Sequence, residues 1–202
     1  SPPGLPERNR GNSLRLPCPS MMPPRPLRVL VTNTALVNRA GSELYVRDVV
    51  GELFRRGHRP VVYSPRLGDV AREIERGGGP VVDRLDAVAQ APDLIHGQHH
   101  LETMAALSRF PGVPAVYFCH GWLPWVEAPP RHPRILRYVA VSEAVRDRIV
   151  LESGVPGADV TSIANFVDLE RFLPRGPLPR TARRALVLDN HATDANILGA
   201  VR

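Results

Sequence analysis

The chain has 202 residues, 43% of them hydrophobic, enough to bury the core of one ordinary domain, and no stretch approaches the ~18 uninterrupted apolar residues of a membrane span. Its formal charge of +6 lies outside the central part: residues 1–26 hold four Arg against one Glu and residues 171–188 hold five Arg and no acid, whereas residues 27–170 hold 16 Arg against 17 acids. A nearly neutral body argues against a nucleic-acid partner, which needs a basic face, and a chain whose 26 basic residues are all Arg has no P-loop or Schiff-base lysine.

Residues 1–26 carry eight prolines and no hydrophobic periodicity, and are expected to be disordered. Leu27–Asn33 reads as a buried parallel strand, followed by a polar loop through Gly41. Ser42, with Glu43 behind it, reads as the N-cap of a helix whose Val46, Val50, Leu53 and Phe54 share one face; Gly57 ends it. Further strands are expected at Pro60–Ser64, Val81–Val82, Asp93–Gly97, Pro114–His120, Arg137–Ser142 and Val160–Asn165. Helices over Asp69–Arg76, Leu101–Phe110 and Glu143–Ser153 lie between them. The alternation predicts an α/β fold, a Rossmann-like parallel sheet with helices on both faces. Cys18 and Cys119 form no disulfide framework, which fits a reducing cytoplasm.

In open parallel sheets, ligands bind beyond the carboxyl ends of the strands. The polar residues gather at those ends: Asn33 and Thr34, His96, His99 and His100, His120, Ser142 and Glu143, and Asn165. Four of the seven histidines follow two strand ends. They fit three uses: metal ligands, satisfied structural groups or ligand contacts. No Asp or Glu completes a metal set at close spacing. His120 leads, because Gly121 beside it leaves the backbone room to approach a substrate. The loop ending at Gly41 offers backbone N–H groups and a helix N-terminus to an anion, yet it lacks GxGxxG and reads equally well as a plain turn. Ser142 reads first as a helix cap. Trp122 and Trp125 either stack on a sugar or pack their loop.

Leu27–Asn33, Gly41–Ser42–Glu43, the Arg56–Gly57–His58 helix exit, Asp93–His96, Cys119–His120–Gly121, Val139–Ser142 and the run from Asn165 through Val167, Asp168 and Phe172 together resemble the N-terminal domain of GT-B glycosyltransferases, family 4. The resemblance spans about Leu27 to Arg202, and the N-x-V-D-x-x-x-F segment is its most specific part. It implies an acceptor-side domain over residues 27–170, a linker over 171–184 and, over 185–202, the start of a donor-binding domain that the chain breaks off. The implied enzyme is a retaining, hexosyltransferase-like glycosyltransferase that moves a sugar from a nucleotide-sugar donor to a hydroxyl acceptor once joined to its C-terminal domain; the fragment alone is expected to be inactive.

By the same resemblance, His120 is the catalytic residue beside the donor sugar, and Gly41 lines the cleft near the diphosphate. His96, Gly121, Ser142 and Asn165 complete the expected substrate- and donor-binding set. No metal or further cofactor is expected, since the nucleotide-sugar is itself a substrate. Ala40 stands where the family usually has the first of two glycines, and Phe166 where it has the glycine of Asn-Gly-Val-Asp. The family's diphosphate-binding basic pair and E-x7-E carboxylates belong to the second domain. The rival reading is a non-catalytic Rossmann-like nucleotide- or sugar-binding module. A cytoplasmic location is expected, with weak association of the Arg171–Arg184 connector with the membrane face left open.

Overall fold

The computed structural model describes residues 25–121, 125–173, 176, 177 and 181. The expectations for residues 1–24, for Trp122 and for the second-domain start at 185–202 lie outside the described residues. The chain divides into two units, Ser1–Asn165 and Phe166–Arg202. The first holds every strand and helix described below. The second, in its described part, is an irregular segment with one turn, in which the Asp168 carboxylate accepts from the N–H groups of Glu170 and Arg171.

Strands β1 (Arg28–Thr32), β2 (Arg59–Tyr63), β3 (Val81–Val82), β4 (Leu94–Gln98), β5 (Ala115–Cys119), β6 (Ile135–Ala140) and β7 (Val160–Ser162) form one sheet in the order β3-β2-β1-β4-β5-β6-β7. Every pairing is parallel. Helices α1 (Gly41–Arg55), α2 (Asp69–Arg76), α3 (His100–Arg109) and α4 (Glu143–Leu151) connect them. The fold is therefore the expected α/β, Rossmann-like parallel sheet.

Strand alternation splits the core between two faces. Val29, Val31 and Val62 pack with Val46 and Val50 of α1 and Ile74 of α2. Leu30, Ile95, Ala115 and Tyr117 pack on the other side with Ala106 and Leu107 of α3 and Ile149 of α4. Each fully buried aliphatic side chain contributes about 1.5–3 kcal/mol against exposure, so the two faces together hold the sheet. Gly97 lets α3 sit directly on β4, because a Cβ there would come within 2.6 Å of the Thr103 side chain.

Three local expectations need correction. Helix α1 begins at Gly41 with extended Ala40 at its cap; Ser42 is already inside the helix and its hydroxyl donates to the Glu43 carboxylate at 3.0 Å. The sixth strand starts earlier and ends earlier than Arg137–Ser142: the register shift between Ala115 and Val116 brings Ile135 into the ladder, and Ser142 leaves it to cap α4. The seventh strand stops at Ser162, and the residues from Thr161 to Arg171 are exposed, with no further strand among the described residues to pair with. Gly57 does end the first helix, in the left-handed region at φ 79°, with the His58 N–H returning to the Leu53 carbonyl at 2.9 Å.

Candidate functional site

From β1 the chain winds outward through β2 and β3, then returns to place β4 on the other side of β1. The order reverses between β1 and β4, and the crevice outside their carboxyl ends is where such sheets hold ligands. Thr32, the last residue of β1, locks this junction: its hydroxyl takes the Gln98 N–H and faces the Gln98 carbonyl, both at 3.0 Å. Gln98 thereby has a fixed backbone at the end of β4.

Residues two apart on a strand share a face. His96 and Gln98 on β4, Phe118 and His120 at the end of β5, and Asn33 just beyond β1 all lie on the α1 side. Tyr45, one turn into α1, reaches across to them. Its ring centroid lies 4.5 Å from His120, edge-on, 5.8 Å from Phe118 and 6.0 Å from His96. His96 stacks on Phe118 at 4.1 Å with the planes 14° apart. Aromatic walls thus surround two imidazoles, His96 within β4 and His120 just past β5.

Five buried side-chain atoms of this group have no hydrogen-bond partner: Asn33 Oδ1, His96 Nδ1, Gln98 Nε2 and Oε1, and His120 Nε2. Buried polar groups are ordinarily satisfied, because each one left alone costs about 1–3 kcal/mol. A concentration of them on one face, at a sheet's switch point, makes this buried polar recess the candidate ligand site. Burial, the main cause, pushes the pKa of His96 down to about 4, with its own backbone offsetting this in part and His120 adding to it. Burial and the neighbouring His99 push His120 down to about 4 as well. Both imidazoles are neutral at pH 7, each with one nitrogen to donate and one to accept.

A second polar cluster adjoins it. His99 sits at φ 62°, a left-handed conformation rare outside glycine, and its Nδ1 accepts from the Thr34 N–H at 3.3 Å. The Thr34 hydroxyl donates to Glu102 at 2.9 Å. Burial lowers the His99 pKa, and the carboxylates of Glu102 and Glu43 pull against that.

The expected site residues do not all come together. His120 and His96 come together in the recess. Gly41 opens α1 at the same end of the sheet; a Cβ there would meet open space, so neither packing nor φ requires a glycine. Gly121 follows His120, but the space beside its Cα belongs to the Glu127 carboxylate, 2.8 Å from where a Cβ would stand. Ser142 caps α4 by accepting from the Val145 N–H at 3.3 Å, and Asn165 is exposed at the end of the first unit. Trp125 is 73% exposed. His100 is occupied with the Ala128 carbonyl at 2.9 Å. Among the described residues, no three His, Cys, Asp or Glu side chains gather closely enough to hold a metal ion.

Gln98, Tyr45, Phe118 and Glu102 were not singled out from the sequence. The alternation His96/Gln98 and Phe118/His120 was a readable signal for two of them; Tyr45 and Glu102 had none, since helix positions reveal a facing strand only once packed. A cavity of about 60 Å³ beside Cys119, between Glu127 and α4, is too small for a sugar ring.

The profile of Glycosyltransferase Family 4 matches residues 39–171, which include α1, the recess histidines and the Asn165–Arg171 segment. A glycosyltransferase from Rickettsia africae ESF-5, known from its crystal structure, shares the fold with a TM-score of 0.59 at 15% sequence identity, over 77% of this chain and 47% of that one. The chain therefore spans about half the length of that solved protein. A search of curated proteins finds no match. With the profile covering about two thirds of the sequence and the sheet of a glycosyltransferase beneath it, the chain belongs to Glycosyltransferase Family 4.

Proposed function

We propose that this chain is the acceptor-side, N-terminal half of a retaining GT-B glycosyltransferase, which transfers a sugar from a nucleotide-sugar to a hydroxyl acceptor when joined to a C-terminal donor-binding domain. The observation that carries the reading is the recess of unpaired, buried and neutral polar groups at the strand ends, His120 and Gln98 above all. A sugar presents hydroxyls that both donate and accept, which suits neutral imidazole and amide better than it suits charged groups. His120 is the proposed catalytic residue, holding a donor-sugar hydroxyl near the reacting carbon. The N-terminus of α1 at Gly41, which no side chain caps, offers backbone N–H groups to the departing diphosphate. His96 contributes as a wall of the recess, stacked on Phe118. Positioning and electrostatic stabilisation of the leaving diphosphate supply the rate, with no bound metal.

The step breaks the bond from the anomeric carbon to the diphosphate and forms one to the acceptor oxygen, whose proton passes to the departing phosphate. The protein is proposed to act in the cytoplasm, with the arginine-rich connector at 171–184 available to a membrane face. The test is His120→Ala in the complete two-domain protein, assayed for nucleoside diphosphate release from a panel of nucleotide-sugars. A fall in turnover of about 100-fold or more, with donor affinity nearly unchanged, is expected. Unchanged turnover removes His120 from the mechanism, and a product of inverted anomeric configuration by NMR removes the retaining assignment.

A further inference from the structure

We propose that the opposite end of the sheet carries a second binding site, for a single-chain amphiphilic anion such as a fatty-acid carboxylate. A cavity of about 270 Å³ opens at the amino-terminal ends of β1 and β2. Its walls are apolar, built from Val29, Leu30, Phe54, Val61, Pro80 and Val88. The backbone around it is already spent: the Leu27 carbonyl takes the Arg59 N–H and the Arg28 carbonyl takes the Asp93 N–H, both at 2.8 Å. Apart from Gln90 and the two arginines at its mouth, the chamber therefore offers hydrocarbon contact. Leu30 at its inner end and Asn33 at the recess are three residues, roughly 10 Å, apart along β1, and the two openings face opposite ends of the sheet, so it serves a different ligand.

The mouth supplies the charge. Arg28 and Arg59 both line the cavity and stand opposite each other on the paired strands. Arg28 is committed to Asp93, through its N–H at 2.8 Å and its guanidinium at 3.1 and 3.3 Å, and Arg25 reaches the same carboxylate at 3.5 Å. Arg59 is exposed and makes no ion pair or side-chain hydrogen bond among the described residues. Asp93 thus answers Arg28 and Arg25, and Arg59 stands without an acidic partner among the described residues at the rim of an apolar chamber. A neutral lipid leaves Arg59 unanswered, and a free inorganic anion leaves the chamber empty. An alkyl chain ending in one anionic head answers both.

Calorimetric titration of the full 202-residue chain with decanoate, below its micellar concentration, tests this, with methyl decanoate and inorganic phosphate as controls. Saturable one-to-one binding of decanoate is expected, weakened about tenfold or more in Arg59→Ala and for the uncharged ester. Ala89→Trp, which sets an indole across the rim from an exposed position, should abolish it while leaving the melting temperature unchanged. Absence of saturable binding overturns the proposal. So does binding that survives Ala89→Trp, or that is as strong for the ester, or that appears with anionic phospholipid vesicles and not with decanoate.

Discussion

The Tyr45 ring stands edge-on to the His120 imidazole, centroids 4.5 Å apart and planes at 64°, and so forms one wall of the burial that keeps this histidine neutral. Removing the wall admits water and restores part of the solvation that favours the charged form. In Tyr45→Ala the His120 pKa is expected to climb from about 4 toward its ordinary 6.5, whereas Tyr45→Phe, which keeps the ring, should hold it low. Proton–carbon NMR titration of the imidazole Cε1–H reads this directly. An unmoved His120 in Tyr45→Ala would show that other groups bury it.

Stability should fall with acid in a defined window. His96 and His120 are held to about 4 in the native state by burial, against 6.5 in the unfolded chain. Above pH 6.5 neither state binds these protons and the stability is complete. Between pH 6.5 and 4 the unfolded chain takes up protons that the native chain refuses, and stability is lost by up to about 1.4 kcal/mol per pH unit for each histidine. Urea midpoints at pH 7, 5.5 and 4.5 measure the slope, and His96→Phe should flatten it. Midpoints independent of pH across this range would contradict the burial of both rings.

Gln98 should cost the empty protein stability. Both polar atoms of its amide are buried without partners, at a position whose backbone Thr32 fixes on both sides. Gln98→Met keeps the length of the side chain and removes the unsatisfied groups, so it is expected to raise stability by about 1 kcal/mol, or about 2–4 °C in melting temperature for a chain of this size. The same variant should bind nucleotide-sugar less tightly in the complete protein. A lower melting temperature would mean that the amide is already satisfied within the fold.

The contact of α3 with β4 rests on Gly97. An alanine there places its Cβ 2.6 Å from Thr103 Oγ1 and Cγ2, and overpacking of this kind costs about 1–3 kcal/mol. Gly97→Ala should lose that much by denaturant titration, and Thr103→Ala in the same chain should recover part of it by removing the two clashing atoms. Additive losses in the double variant would place the cost elsewhere.

Composition and periodicity were enough for the alternating strands and helices, because buried parallel strands read as short apolar runs and Gly57, Gly112 and Gly154 mark turns that need positive φ. They also placed His120 just past a strand end, whereas His96, expected past its strand, lies inside β4, which runs on to Gln98. The cap of α1 was misread because Ser42 has the right chemistry for a cap, while the cap position is set by the extended backbone of Ala40, which leaves no trace in residue type.

By itself, then, the sequence determined the fold class and the histidines that lie toward the carboxyl end of the sheet, since these follow from local pattern and chain direction. Only the tertiary structure decided which polar groups share a face, that Tyr45 walls in His120, that Gln98 goes unpaired and that Arg59 stands uncompensated at an apolar chamber. Those facts depend on strand order, and strand order is set by packing between segments far apart in the chain: β1 lies between β2 and β4, although 61 residues separate the end of β1 from the start of β4.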